Sequence, residues 1–545
     1  LEVAATPQET TQRQAPQGEL EVCIAGVWEE ILRRGAVHRG DDFFRCGGDS
    51  ILATRFLARL QAHLGITLGL VDLYQAPTLA GLAEIIVRRG STTAPARPIP
   101  RQPRPGRFEL SSSQGRFWLA EQFDPGNPAL RRPLAIRITG GVRTQVLAQA
   151  LGDLQARHEI LRSRFEMAGA QPLQIADADA LVHLEIRDGT AVSSDPMGEA
   201  VRLAEVEAAG GDIDLQRGPA LSAVLFPAGK QESLLLLRMH HIIFDGWSSH
   251  VLVRDLGTLY TARAGEPAAQ LPQLEIQYAD FAVWQNHELG GPELADGLRF
   301  WAQYLAAPCA YVPMPPERAG AQEPAWRGIP RCLRVDENVT RALRHLGESH
   351  HATLFMVLLA GLNLTLLERT GQKDLLIGTL RSGRSRLEAE EMIGSFLSTV
   401  VVRTRMSPGI APAEALDRVR ASCLAAFAHE WVPFERVVRA LTPPRGETMN
   451  PFFNVLFQLR GFPEGAHDSQ NLCWREVPLD LGVTRAELEI SATPEDDGLI
   501  LQATGGARRF GREDVGNLLA DYARVLKKMA AARGEFALGV AAVET

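Results

Sequence analysis

The chain has 545 residues, 45% of them hydrophobic, with 57 basic against 65 acidic side chains, a net charge of −8 and a sequence pI near 6.0. That length exceeds what one core can serve and predicts three or four compact units. The acidic balance gives no basic footprint for nucleic acid, and there is neither an apolar run long enough to span a membrane nor a signal peptide. The six cysteines, at positions 23, 46, 309, 332, 423 and 473, lack metal or redox spacing, which predicts free thiols in a reducing cytoplasm. A first residue Leu1, not Met, suggests a piece of a longer protein.

Residues 1–17 have little to bury and read as linker or disordered chain. From Glu19 the spacing of Ile24, Val27, Trp28, Ile31 and Leu32 is helical until Gly35. A second helix is predicted from about Asp49, with Ile51, Leu52, Phe56 and Leu60 inward. A third apolar group spans 68–74, and Leu79, Leu82, Ile85 and Ile86 make a last helix. Residues 18–90 therefore predict a small four-helix bundle. Residues 91–107 hold five prolines and four arginines. They predict an extended tether that spans roughly 50 Å at ~3.1 Å per residue, with solvated arginines. Beyond it, strand patterns (134–138, 233–239, 374–378) alternate with helical ones (144–156, 352–367), which predicts an α+β chain. The break at 288–292 divides it into pieces 108–288 and 289–545, and 512–532 reads as a closing helix.

Two stretches carry chemistry. In the first, Gly47-Gly48-Asp49-Ser50 lies between two helices. The glycines permit a tight turn, Asp49 can cap the next helix, and a phosphate on the Ser50 hydroxyl would lie in the favourable field of the helix N-terminus. A plain Asp-Ser capping turn is the structural alternative. The second is His240-His241-Ile242-Ile243-Phe244-Asp245-Gly246, at the end of the Leu-rich run 234–237. A shared metal ion fits poorly, because successive strand residues point to opposite faces. Two satisfied core histidines are a second reading. The third, which we follow, puts one imidazole in a cleft to accept a proton or orient a nucleophile, while Asp245 fixes the turn through an ion pair.

The segment Asp41-Asp42-Phe43-Phe44-Arg45-Cys46-Gly47-Gly48-Asp49-Ser50-Ile51 resembles the core motif of peptidyl carrier domains of nonribosomal peptide synthetases. Seven further stretches resemble, in the family's order, the motifs of the condensation domains of these synthetases. They begin at Ser111, Arg157, Met239, Tyr278, Ile393, His429 and Arg445, and they depart from the pattern at Ser113, Ser398, Glu430 and Trp431. The resemblance implies a carrier bundle followed by two chloramphenicol-acetyltransferase-like lobes in a V. It implies 4′-phosphopantetheine on Ser50, an Asp245–Arg162 ion pair that shapes the turn, and His241 placed at the reacting amine. His240 is expected to face the core, and backbone N–H groups near Gly246 are candidate oxyanion donors.

The implied reaction is attack by the amine of a downstream carrier-bound aminoacyl thioester on an upstream aminoacyl or peptidyl thioester, with an L-configured donor expected. The implied partners are an adenylation domain, an acceptor carrier and a phosphopantetheinyl transferase, with no nucleic acid, membrane or metal. Ester formation, and an inert platform that recruits a tailoring enzyme, are the alternatives. Most motif aromatics (Trp118, Phe165, Tyr278, Phe281, Trp284 and Phe396) and the histidines His158 and His429 read as packing or satisfied structural residues.

Overall fold

The computed structural model describes residues 14–531 except 33, 49, 67, 90–97, 105, 189–192, 211–212, 307–310, 385, 444–448, 462–464 and 496–497, and leaves out the side chains of Ser50 and Ile51. Asp49, Arg445 and Cys309 thus lie outside the described residues, and the other five cysteines are free thiols.

The N-terminal unit consists of the helices Gly18–Leu32, Ser50–Leu64, Leu70–Gln75 and Leu79–Arg89. A small bundle has few residues with which to fill its centre, and aromatic rings supply the volume. Phe43 stacks on Phe56 at 5.0 Å, and Trp28 meets the two rings edge-on at 5.2 and 5.7 Å. Phe44 stacks on Tyr74 at 4.5 Å. Both phenylalanines of the motif therefore plug the bundle.

The next unit is built on a six-stranded sheet in which Glu232–Met239 is a central strand, flanked by Leu134–Thr139 and Leu221–Pro227. The two-residue period of a strand explains its run of four leucines: Leu235 and Leu237 enter the main core, while Leu234 and Leu236 meet Ala200, Ala204 and Ala208 of the helix Pro196–Ala209. A second six-stranded sheet orders the later strands, with Asp374–Arg381, Val455–Leu459 and Leu488–Glu495 adjacent at its centre. The helix Leu354–Thr370 packs in this half, buried on every side over most of its length.

Two expectations change here. The break near 288 falls between the helices Tyr278–Glu288 and Glu293–Tyr304, but the chain does not stay on one side of it. Strands Ala466–Asp468 and Cys473–Val477 return to the first sheet, where Cys473–Val477 pairs with Leu134–Thr139 and Trp474 is fully buried. The tether is also less free than its composition suggests. Ile99 is buried in the core of the first lobe, and its N–H donates to Glu388. Arg104 is not solvated: it makes a bidentate pair with the fully buried Asp280 at 2.6 and 2.7 Å and approaches Glu159 at 3.3 Å. Asp280 cannot remain buried and charged without such a partner.

Candidate active site at the seam of the two lobes

After the strand Glu232–Met239 the chain turns through 240–245 and enters the helix Gly246–Arg263. The turn is held by Asp245, the helix N-cap, whose carboxylate accepts from the Ser248 N–H (2.9 Å) and hydroxyl (2.7 Å). It also accepts from the Phe396 N–H at 3.1 Å and from Arg384 Nη2 at 3.1 and 3.3 Å. Arg384, not Arg162, is therefore the partner of Asp245. Arg162 lies half-buried in the short 3-10 turn Glu159–Arg162, on the approach to the strand Ser163–Ala168. Arg384 instead arrives from the opposite lobe, on the loop after Asp374–Arg381, and is almost fully buried. Its Nη1 donates to the carbonyls of Ala389 and Met392, and its guanidinium lies 4.0 Å from the Phe396 ring centroid.

The same loop draws several motif segments together. Ser248 Oγ lies 3.0 Å from the Gly394 carbonyl, and Tyr278 Oη donates to the Ser395 carbonyl at 2.6 Å. Ser111 Oγ lies 2.7 Å from Tyr278 Oη, and Ser113 Oγ lies 2.9 Å from Ser395 Oγ. Gly394 permits this approach, because a Cβ there would come within 2.0 Å of the Tyr278 ring. Segments far apart in sequence thus share one buried polar network around Asp245.

The two histidines have different environments and opposite tautomers. His240 is buried; its Nδ1 accepts from the Ile242 N–H at 3.1 Å, so its proton is on Nε2, which donates to Glu121 Oε2 at 3.3 Å. His241 is 7% exposed and stacks on Phe117 at 5.1 Å. Its Nδ1 lies 3.2 Å from the Phe244 carbonyl, which can only accept. Burial, then the charges of Arg485 and Arg132, hold its pKa well below the usual imidazole range. His241 is therefore neutral, with the proton fixed on Nδ1 and a lone pair on Nε2. Phe117 is sandwiched, since Arg116 lies 4.6 Å from its centroid and bonds Thr399 Oγ1 at 2.7 Å and Glu435 at 3.3 Å.

Other motif residues do not enter this site. His158 Nε2 donates to Asp255 at 2.8 Å, and with Arg157 and Arg254 it holds that carboxyl down to about 2 despite burial. His429 stacks on Phe300 at 3.6 Å. The residues that sequence reasoning missed are Arg384, Glu121 and Glu390. Only Arg384 had a signal, in Gly383-Arg384 shortly after the predicted strand 374–378: Gly383 has φ 64°, where a side chain is strained.

The helical bundle docks beside this loop. Arg55 Nε donates to Glu390 Oε1 at 3.2 Å, and Arg59 lies 3.7 Å from the same carboxylate. Arg55 also lies 5.2 Å from the Trp247 ring, whose Nε1 donates to the Glu390 carbonyl at 3.0 Å. On the other side of the docked bundle, Arg420 Nη2 donates to the Tyr74 carbonyl at 3.4 Å. Ser50 opens the helix Ser50–Leu64 behind Gly47, at φ 99°, and Gly48, where a Cβ would come within 2.2 Å of the Phe43 ring. A glycine turn this close ahead of the helix start suits a phosphate, so the described residues fit a phosphopantetheine attachment site.

A two-lobed α+β fold with a histidine turn at the lobe seam and a helical bundle docked beside it defines a carrier–acyltransferase pair. The family comparison agrees: residues 105–535 match the condensation domain and residues 24–86 the phosphopantetheine attachment site. The chain belongs to the condensation domain family and carries a peptidyl carrier domain ahead of it, the pairing found in nonribosomal peptide synthetases.

Among its relatives, a linear gramicidin synthase of Brevibacillus parabrevis is 33% identical over 96% of this chain, which spans 10% of that protein. A dimodular nonribosomal peptide synthase of Bacillus subtilis is 34% identical over 83% of the chain and 19% of its own length. The chain thus spans a small part of the curated relatives it matches. The X-domain from teicoplanin biosynthesis superposes with TM-score 0.72 at 28% identity, over 81% of this chain and 98% of that one. The first condensation domain of the calcium-dependent antibiotic synthetase shares the fold, with TM-score 0.64 at 23% identity, over 78% and 96% of the two chains.

Proposed function

We propose that this chain forms a peptide bond between two carrier-bound groups and that His241 is placed at the attacking amine. The observation that carries the reading is the fixed neutral tautomer of His241, with Nε2 unprotonated at the lobe seam. A 4′-phosphopantetheine arm on Ser50 supplies the thioester tether. When the amine of the acceptor attacks the thioester carbonyl, a C–N bond forms, the C–S bond breaks, and the ammonium proton must leave. His241 Nε2 accepts that proton or a hydrogen bond from the amine, which orients its lone pair. The Gly246 N–H, in the first turn of its helix, is the candidate donor to the negative charge that develops on the thioester oxygen. His240, whose two nitrogens are engaged by Ile242 and Glu121, packs behind the turn, and the Asp245–Arg384 pair holds it rigid.

Tethering both reactants supplies much of the rate through proximity. The docking of the bundle through Arg55 and Glu390 supports its role as a donor carrier, with an L-configured group expected on it. An adenylation domain that loads the arm, a separate acceptor carrier, a phosphopantetheinyl transferase and a cytoplasmic setting complete the reading.

A second reading is favoured by the likeness to the teicoplanin X-domain, which is also known in a complex with OxyB. On it the chain is a platform that recruits a tailoring enzyme to the carrier-bound peptide. Mixing the chain, aminoacylated on Ser50, with an aminoacylated acceptor carrier separates the two. Amide formation that is lost in His241→Ala supports catalysis, and no transfer from a loaded Ser50 supports the platform.

A further inference from the structure

The docked bundle meets the histidine turn through one short stretch of chain, residues 389–392. Two side chains brace the turn, and both rest there. Trp247, two residues after Asp245, donates from Nε1 to the Glu390 carbonyl at 3.0 Å. Arg384, the partner of Asp245, donates from Nη1 to the carbonyls of Ala389 and Met392. Arg254, about two turns further along the helix Gly246–Arg263, pairs with Glu391 at 2.6 Å. Residues 390–397 belong to neither helix nor strand, so side-chain contacts and not a backbone ladder hold them.

The remaining contacts on this stretch come from the carrier. The Glu390 carboxylate is 5% exposed, and among the described residues its ion-pair partners are Arg55 and Arg59 of the bundle, at 3.2 and 3.7 Å. Arg55 also covers the Trp247 ring at 5.2 Å, a cation–π distance. The tether ends on the same turn, where Glu388 accepts from the Ile99 N–H at 3.2 Å. Undocking of the bundle therefore removes both counter-ions of Glu390 and the cover of Trp247 together. An irregular segment held by fewer contacts opens more readily. Because Trp247 and Arg384 lean on this one, its freedom reaches Gly246 and the Asp245 turn that carries His241.

We propose that Glu390 and Trp247 are positioning residues through which a docked carrier orders the histidine turn, so that docking itself raises the rate of amide formation; this rests on the peptide-bond reading above. The bundle thus completes the site as well as delivering its arm. A donor that is not attached to Ser50 then reacts faster while the bundle is docked. If Glu390 served docking alone, its loss would change delivery of the arm and leave such a donor unaffected.

The test separates positioning from delivery by removing the arm. In Ser50→Ala the bundle docks but carries nothing, and a soluble alanyl-pantetheine thioester at saturation serves as donor to an alanyl acceptor carrier. Arg55→Glu in this background should lower kcat by about threefold to fivefold, the range of one partly exposed ion pair, with the acceptor KM unchanged. Arg55→Lys should keep most of the rate, and Glu390→Arg added to Arg55→Glu should restore it. In Trp247→Phe, which loses the Nε1 donor and keeps an aromatic ring, Arg55→Glu should have no further effect on kcat. Amide hydrogen exchange of residues 386–396 is a second readout that needs no transfer: it should be faster in Arg55→Glu and slow again in the charge swap. A kcat for the soluble donor that ignores Arg55→Glu, while transfer from Ser50 falls, would overturn the positioning role and leave the transferase reading intact. If the soluble donor gives no transfer, exchange decides, and an unchanged rate of exchange in Arg55→Glu overturns the proposal. Absence of transfer from a loaded Ser50 as well would overturn the peptide-bond reading separately.

Discussion

Asp245 offers the sharpest test of how the site is built. Its carboxylate is 1% exposed and accepts from Ser248 twice, from Phe396 and from Arg384, itself 3% exposed. Asp245→Ala removes an N-cap, at a cost of about 1 kcal/mol, and strands a buried guanidinium, at a cost of about 3–5 kcal/mol. The two overlap, so a loss of about 4 kcal/mol is expected. Most of that loss comes from Arg384, and Asp245→Ala combined with Arg384→Met should therefore be less destabilised than the sum of the single variants by about 2 kcal/mol or more. Urea unfolding followed by tryptophan fluorescence reads these values. Additive single-variant costs, or an Asp245→Ala cost below about 1 kcal/mol, would refute the inter-lobe pair as the support of the turn. An Arg162→Met variant should cost far less, since Arg162 is only half-buried and does not reach Asp245.

Three further outcomes follow from the same geometry. His241 has a folded-state pKa below the free value, so the unfolded chain takes up the proton first. Relative to His241→Gln, wild-type stability should stay constant above pH ~6.5 and fall as the pH drops below it, which pH-dependent melting measures. Arg55→Glu should loosen the docked carrier by no more than about 1 kcal/mol, because Arg55 is 26% exposed, and Glu390→Arg in the same chain should restore it. Transfer from Ser50 at saturating acceptor, measured for the single and double variants, checks this. Gly394→Ala should sharply lower both melting temperature and transfer, since its Cβ would overlap the Tyr278 ring, whereas Gly115→Ala, which meets nothing within 4 Å, should be silent in melting.

How far the sequence could be read depended on the range of the interaction. The four short helices and the strand before the histidines were legible because apolar periodicity and capping are local. The structural role of His158 followed from ordinary priors about histidine, and the burial of His240 from the family resemblance. The partner of Asp245 was not legible, because Arg384 comes from 139 residues away and its one local signal, Gly383, marks a turn and not a partner. The return of Cys473–Val477 to the first sheet was hidden for the same reason: a strand's pattern gives its faces and not its neighbour. Proline-rich composition described the tether's stiffness but could not reveal that Asp280 waits for Arg104.

The most direct test of the central claim is the intact mass of an acceptor carrier after mixing with this chain, both aminoacylated. The account predicts that the acceptor gains the mass of the donor group and that His241→Ala, with an unchanged melting curve, abolishes the gain. A full gain in the His241→Ala variant, or none in the wild type while Ser50 carries its group, would contradict it.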